Sequence, residues 1–175
     1  SKHILETNNF KILLDCGLHQ GRRLEAYTLN KILPFDSTSL QAAILSHAHA
    51  DHCGTLPLLI KSGYGGKVYA TSATADIASL IMLDSAKIQL SDYEHLLAEG
   101  IIKNQFLPPL YSVEDVEKTN DHFLKVDYVR KTKIWQDLND TTRFKFYDAG
   151  HILGSAVTVI ESEEGETVKR LLFTG

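Results

Sequence analysis

Residues 46–54 read Ser-His-Ala-His-Ala-Asp-His-Cys-Gly, so three histidines and one aspartate fall within a single short segment. Residues 42–45, an apolar Ala-Ala-Ile-Leu run, come directly before it and predict a buried strand. Alternate side chains of a strand face the same way, so His47 and His49 can converge while the alanine between them faces away. The segment therefore predicts a strand end that presents two imidazoles to one point.

The chain must turn after this strand end, because the next residues lead into a predicted helix. That turn can bring Asp51 and His52 to the same side, so one short loop would supply ligands to two neighbouring metal positions. Imidazole nitrogen and carboxylate oxygen are usual ligands of zinc. Crowding four polar groups at a buried strand end without a partner would be costly, and this favours a metal. A nucleophilic role for Cys53 is the chemical alternative, but a small buried packing residue is the simpler interpretation.

A second group of chemically interesting residues lies about a hundred positions further on. Residues 147–155 read Tyr-Asp-Ala-Gly-His-Ile-Leu-Gly-Ser and again follow a predicted strand. Gly150 and Gly154 permit tight backbone geometry around His151. We therefore predict that His151 supplies a third imidazole to the metal held by the first two.

A third element is the acidic residue in residues 13–17, Leu-Leu-Asp-Cys-Gly. Asp15 stands at the end of an apolar strand and is followed closely by a glycine. It can be a hydrogen-bond acceptor that orients a ligand imidazole, or it can simply terminate the strand. The segment alone leaves both interpretations open.

Length and composition place the chain among ordinary globular domains. It has 175 residues, of which 43% are hydrophobic and 23% charged, and its net charge of −4 provides no overall basic field for nucleic acid. No apolar run is long enough for a transmembrane helix, and no leader-like segment opens the sequence. Two cysteines cannot build a disulfide framework, so we expect a reducing, cytoplasmic location.

The hydrophobic pattern predicts two sheets with helices on their outer faces, an α/β or α+β layered domain. The predicted strands cover residues 3–6, 11–14, 42–45, 67–70, 144–147, 156–160 and 168–173, with a hairpin turn at 7–9 and a polar turn at 161–166. The predicted helices cover residues 55–62, 72–90 with a continuation or second helix over 91–100, and 112 to about 123.

The order of these motifs resembles that of the metallo-β-lactamase fold, and in particular the RNA-processing branch of the β-CASP family. Three phrases carry the resemblance: His-Ala-His-Ala-Asp-His-Cys-Gly-Thr-Leu-Pro at 47–57, Asp-Ala-Gly-His-Ile-Leu-Gly-Ser-Ala at 148–156, and Pro-Leu-Tyr at 109–111. This branch includes bacterial and archaeal ribonucleases and the endonuclease subunit of the pre-mRNA cleavage complex. The resemblance covers nearly the whole chain.

The resemblance implies a metallo-β-lactamase-like αββα sandwich that holds two Zn²⁺ ions, with manganese as the other candidate metal. It implies that Asp51 also helps to position the attacking water and that Asp15 orients the ligands. The implied ligands are His47, His49 and His151 for the first metal, and Asp51 and His52 for the second.

The resemblance also implies parts that this sequence does not contain. Family members have a metal-bridging aspartate directly after a strand that ends like residues 173–175, followed by an inserted lid domain and further histidines. We therefore expect residues 1–175 to be the N-terminal part of a larger metallo-β-lactamase domain. Hydrolytic activity is expected of that parent protein and is left open for this chain alone.

The expected function is a two-zinc ribonuclease that cuts RNA phosphodiester bonds internally, from the 5′ end, or both. A hydrolase of small esters, thioesters or lactams is one alternative, although the long segment 91–133 fits it less well. A non-catalytic scaffold is the other. The expected partner is RNA rather than a membrane, within a homodimer or a multi-subunit processing complex.

The candidate RNA contacts are basic and aromatic residues near position 130. Cations beside stacking rings suit single-stranded RNA. A solvated helix end with aromatics from the core is the favoured simpler interpretation. The candidates are Lys131, Lys133 and Trp135, in a run that also contains Lys125, Tyr128 and Arg130.

Overall fold

The computed structural model describes residues 1–7, 10–100, 107–129 and 135–175, and it contains two β-sheets packed face to face. The first sheet has the strand order β1-β2-β3-β4-β5. Its strands are β1 (His3–Thr7), β2 (Phe10–Leu14), β3 (Ala42–Ile44), β4 (Lys67–Ala70) and β5 (Phe123–Lys125). The predicted hairpin is confirmed by the antiparallel pairing of β1 with β2; residues 8 and 9 of its turn lie outside the described residues.

Strands β2 to β5 run parallel to one another, with Leu14 opposite Ile44 and Ile44 opposite Tyr69. Parallel strands finish at the same edge of a sheet, which is where α/β folds place their sites. Asp15, Ser46 and Thr71 follow β2, β3 and β4, so the register brings these three residues to one edge.

The second sheet is antiparallel, with the order β6-β7-β8-β9. Its strands are β6 (Gln136–Asp137), β7 (Thr142–Asp148), β8 (Ala156–Glu164) and β9 (Thr167–Phe173). The predicted turn at 161–166 begins too early, since β8 continues to Glu164. Glu161 is buried and accepts hydrogen bonds from Arg143 on β7 and Arg170 on β9, which keeps this polar stretch within the sheet.

The helices are α1 (Arg23–Asn30), α2 (Ala50–Cys53), α3 (Leu56–Lys61), α4 (Ser72–Ala98) and α5 (Val113–Asn120). Helix α4 runs without a break through the predicted join at 90–91. A capping box at Ser112 begins α5, but the helix ends before its predicted limit near Phe123, which pairs with Val68 as part of β5. Helix α1 was not predicted.

Two hydrophobic clusters hold the layers together. One face of the first sheet packs against α3, α4 and α5, with Leu59, Met82 and Tyr111 fully buried between them. The other face packs against the second sheet around Phe144 and Phe146, and this cluster contains no helical residue of the described ranges. The chain thus supplies three layers of the expected αββα sandwich, and the α+β layered class is confirmed.

No helix in the four described ranges combines the length with the apolar character that a membrane span requires.

Candidate metal centre

Three imidazoles meet at the edge where the parallel strands end. His47 Nε2 lies 3.1 Å from His49 Nδ1, which in turn lies 3.2 Å from His151 Nε2. Four ligands at zinc–nitrogen distances of about 2.0–2.1 Å in a tetrahedron are roughly 3.3 Å apart. The two distances to His49 Nδ1 therefore match the spacing of ligands on one ion, and the possible ligand atoms of the three histidines all lie within 4.8 Å of one another.

Asp51 and His52 lie in the short helix α2, which His49 precedes as its N-cap residue. The His52 ring centre is 4.0 Å from that of His47, and His52 Nε2 is 3.7 Å from Asp51 Oδ2. The Asp51 side chain is half exposed. An imidazole–carboxylate pair thus lies beside the three-histidine group.

Asp15 lies behind His52, with its side chain fully shielded from solvent. Its Oδ2 accepts a hydrogen bond from His52 Nδ1 at 2.6 Å and another from Ser46 Oγ at 2.8 Å. Its Oδ1 accepts from Ser46 N at 2.8 Å. Asp15, His47 and His52 are close enough to form a metal-binding group of their own, but the Asp15 oxygens are already occupied by these donors. This arrangement is the one expected of a carboxylate that orients His52.

The protonation of His47 suits ligation. Burial, together with the neighbouring His52, lowers the pKa of His47 to about 4. Its imidazole is therefore neutral at neutral pH, which a metal ligand must be.

A tight loop holds His151. Ser155 Oγ accepts from the backbone N–H groups of His151 and Ile152, at 3.1 and 3.2 Å. The Gly154 carbonyl accepts from the hydroxyls of Thr71 and Thr74, both at 2.7 Å, at the start of α4. The sequence pattern did not indicate that these two threonines anchor the loop.

Gly17 allows the Asp15 loop to lie directly against α2. A Cβ atom on Gly17 would lie 1.6 Å from the Asp51 carbonyl oxygen, far inside any contact distance. The neighbouring Cys16 N–H donates to the His52 carbonyl at 2.7 Å. The Asp-Cys-Gly order thus provides both the carboxylate behind His52 and the space that α2 needs.

The thiol alternative is not favoured by the environment of Cys53. The residue is fully buried, and its Sγ contacts the Ala48 carbonyl oxygen at 3.4 Å. Burial raises the pKa of the Cys53 thiol to about 12, so a nucleophilic thiolate is not available at neutral pH. Cys53 is a packing residue, as the simpler interpretation predicted.

The candidate RNA contacts are only partly described. Lys131 and Lys133, with Arg130, lie outside the described residues. Trp135 is described, and its ring is covered by Lys145 Nζ at 4.2 Å and by the Arg143 guanidinium at 4.7 Å. The two cations come from β7, a source that the sequence reasoning did not identify.

The other two members of that run have structural partners. Lys125 Nζ lies 2.7 Å from Asp76 Oδ1 on α4. The Tyr128 hydroxyl donates to the Ser155 carbonyl at 2.8 Å, behind the His151 loop. Both residues therefore make contacts within the protein, and neither contact is evidence for RNA binding.

The candidate metal ligands line an open cleft of about 490 Å³ between the edges of the two sheets. The cleft is lined by His47, His49, Asp51, His52, His151 and neighbouring residues of β8 and 174–175.

Comparison with known proteins identifies the class. Residues 4–170 match the model of the metallo-beta-lactamase superfamily domain, so the chain belongs to this family. It is 34% identical over 98% of its length to transcription termination factor FttA of Methanothermobacter thermautotrophicus. It is 33% identical over its whole length to Ribonuclease TTHA0252 of Thermus thermophilus. The predicted resemblance to the β-CASP RNA-processing branch is thereby confirmed.

The chain spans 24% of the first relative and 34% of the second. Among solved structures it is similar to MEM-A1, a subclass B3 metallo-beta-lactamase from a soil metagenome library. The TM-score is 0.54 at 17% identity, over 97% of this chain and 54% of that one. At this identity the similarity shows the shared fold.

Proposed function

We propose that the protein containing this chain is a metal-dependent nuclease that hydrolyses RNA phosphodiester bonds. The observation that carries the proposal is the convergence of three imidazole nitrogens beside the Asp51–His52 pair in an open cleft. Relatives named as a ribonuclease and a transcription termination factor support RNA as the substrate. The proposal includes residues 1–175 as the N-terminal part of a larger catalytic unit.

The residues present fit two divalent ions. His47, His49 and His151 would hold the first, and Asp51 with His52 would contribute to the second. We propose zinc, because imidazole-rich sites with a carboxylate suit it, with manganese as the alternative. The bound ions would supply Lewis-acid chemistry, polarising a phosphate oxygen and making water more acidic.

The chain's own residues would position the reactants. The half-exposed Asp51 carboxylate can accept a proton or hydrogen bond from the attacking water, while Asp15 keeps His52 in one ring orientation. The open cleft between the sheets leaves room for a phosphodiester to approach both groups. No nucleophilic side chain is needed.

The test uses the full-length protein containing this chain and single-stranded RNA labelled at either end. We expect metal-dependent cleavage that a chelator abolishes and zinc or manganese restores. His49→Ala should abolish cleavage with an unchanged circular dichroism spectrum. His95→Ala on α4 is the matched control and should cleave like wild type.

Two further arms test the finer claims. Blocking the 5′ end of the RNA stops a 5′-exonuclease and leaves internal cutting, so the fragment pattern separates the two modes. A panel of ester, thioester and lactam substrates tests the competing small-molecule hydrolase. The proposal would be overturned if the protein hydrolysed one of these small substrates and left the RNA uncleaved. Cleavage of RNA without metal would also overturn it.

We also propose that the protein acts in a reducing cellular compartment, where its two free and buried cysteines would stay unpaired. Its assembly as a homodimer or within a multi-subunit complex stays a prediction. Light scattering on the full-length protein measures it.

A further inference from the structure

We propose that Ser46 is a positioning residue of the metal centre: its hydroxyl connects Asp15 to His47 and fixes the ring tautomer that leaves His47 Nε2 free to bind the first ion. This inference rests on the proposed metal-binding function. It concerns a residue that is not itself a ligand. It also makes one carboxylate responsible for two imidazoles.

The hydroxyl of Ser46 has a single hydrogen and two polar neighbours. A serine hydroxyl carries one hydrogen and two acceptor lone pairs. Ser46 Oγ donates that hydrogen to Asp15 Oδ2 at 2.8 Å, since a carboxylate can only accept. Ser46 Oγ also lies 2.9 Å from His47 Nδ1. Only lone pairs remain for this second contact, so the histidine must be the donor.

The consequence falls on the opposite side of the His47 ring. A neutral imidazole has one N–H and one lone pair. With the hydrogen on Nδ1, the lone pair is on Nε2, and Nε2 is the atom that lies 3.1 Å from His49 Nδ1. The hydroxyl of Ser46 therefore directs the His47 lone pair towards the three-histidine group.

Asp15 acts on the second site without a relay. Its Oδ2 accepts directly from His52 Nδ1, so the His52 lone pair is also on Nε2, on the side of Asp51. The same oxygen atom thus sets the tautomer of a ligand in each proposed metal position. One imidazole is set directly, and the other through Ser46.

Ser46 is buried and closely surrounded by the described residues. The residue is 1% exposed. Its N–H donates to Asp15 Oδ1, and its carbonyl accepts from Ala156 N at 2.8 Å, so its backbone connects the edges of both sheets. A Cβ atom on Gly175 would lie 2.9 Å from Ser46 Oγ, which shows how closely the chain covers the hydroxyl. Its removal would leave the His47 N–H facing the Asp15 carboxylate across a gap.

The first measurement is the tautomer of His47, by long-range ¹H–¹⁵N NMR on metal-free protein. We expect Nδ1–H in wild type and loss of this preference in Ser46→Ala. Ser46→Thr keeps a hydroxyl and should restore the wild-type spectrum. Wild-type His47 protonated on Nε2 would overturn the proposal, and this result does not depend on whether any variant folds.

The second measurement is zinc affinity, by competition with a chromophoric chelator. Loss of a hydrogen bond behind a ligand histidine typically weakens metal binding by about 10–100-fold. We expect a loss in this range for Ser46→Ala and recovery in Ser46→Thr. Ser37→Ala is the matched control: it removes another buried serine hydroxyl, which donates to the Ser62 carbonyl at 2.6 Å, and should leave affinity unchanged.

These measurements are separate from those for the proposed function. Wild-type zinc affinity in Ser46→Ala would overturn the positioning role, even if the full-length protein cleaves RNA. Weakened affinity with the tautomer change would support it, even if RNA proves to be the wrong substrate. A loss of affinity in Ser37→Ala equal to that in Ser46→Ala would also overturn it, because general destabilisation would then explain both.

Discussion

Replacing Asp15 with asparagine changes almost no volume and tests how the buried carboxylate acts. The amide oxygen can take the place of Oδ1 and keep the bond from Ser46 N. The amide nitrogen then faces two donors, His52 Nδ1–H and the Ser46 hydroxyl, which now approach Oδ2 at 2.6 and 2.8 Å. Asp15→Asn therefore replaces two attractive contacts with two donor–donor contacts.

The size of the effect follows from what these bonds contribute. Hydrogen bonds to a charged group stabilise by about 1.5–3 kcal/mol each, so a rigid network would lose roughly 3–6 kcal/mol. The network can relax, because His52 can move its proton to Nε2 and accept from the amide. The Ser46 hydroxyl can likewise accept from the amide and donate to His47 Nδ1, which moves the His47 proton to Nε2. We therefore expect a loss of about 1.5–3 kcal/mol in the free energy of unfolding, the value of one such bond.

Relaxation restores stability but impairs the metal centre. Both proton shifts place a hydrogen on an Nε2 atom that would face an ion, in His52 and in His47. We expect zinc affinity to fall at least about 10-fold.

Urea denaturation of metal-free protein measures the first quantity, and chelator competition measures the second. Asp36→Asn is the matched control, because asparagine caps a helix as well as aspartate does and the exposed Asp36 caps the short turn at 37–39. Wild-type zinc affinity in Asp15→Asn, at any stability, would refute the reasoning.

Three further predictions concern the scaffold around the centre. Gly17→Ala places a Cβ atom 1.6 Å from a backbone oxygen of α2, so we expect urea denaturation to show several kcal/mol of destabilisation. Gly65→Ala is the control and should cost almost nothing, because nothing lies within 4 Å of the added atom. Equal effects of the two substitutions would contradict the close approach. Thr74→Val removes one of the two hydroxyls that donate to the Gly154 carbonyl. We expect the free energy of unfolding to fall by about 1 kcal/mol and zinc binding to weaken. Unchanged zinc affinity would show that this anchor does not position the His151 loop. Burial by itself would raise the pKa of Glu161, but the two guanidinium groups that it contacts hold this pKa below its usual value of 4.5. The contribution of Glu161 to stability is therefore complete above pH 4.5 and is lost as pH falls through the lowered pKa. Glu161→Gln should consequently reduce the loss of stability at acid pH, measured by urea denaturation across a pH series. An unchanged loss would assign the acid sensitivity to other groups.

The chemistry of the centre depends on contacts between elements that are far apart in the sequence. Asp15, the His47–His52 loop and His151 come from the ends of three different strands, and the second sheet is held against the first by Phe144 and Phe146. A change in the packing between the sheets would move His151 relative to the other two imidazoles. The hydrophobic contact between the sheets is therefore also a determinant of ligand spacing.

Several features could be predicted from residues alone. The run of histidines after an apolar strand indicated two members of the three-imidazole group, because period-two alternation places His47 and His49 on one side. The glycines around His151 indicated a tight loop for the same reason that Gly154 shows a positive φ of 88°. Local rules of this kind depend on only a few neighbouring residues.

Other features were predicted wrongly or missed because they depend on distant partners. Glu161 looked like the start of a turn, yet two arginines from neighbouring strands keep it in the sheet. Phe123 looked like a helix end, but it pairs with Val68 across more than fifty residues of sequence. Propensity cannot anticipate such pairs, since tertiary contacts override it.

The sequence by itself determined the family, the layered fold class and the candidate metal-binding side chains. Only the tertiary structure decided which hydrogen-bond partners these side chains meet. Asp15 and Ser46 are thirty-one positions apart, and their hydrogen bond exists because β2 and β3 lie side by side in one register. The direction of a hydrogen bond depends on which donors and acceptors meet in space, and spacing along the chain does not specify that.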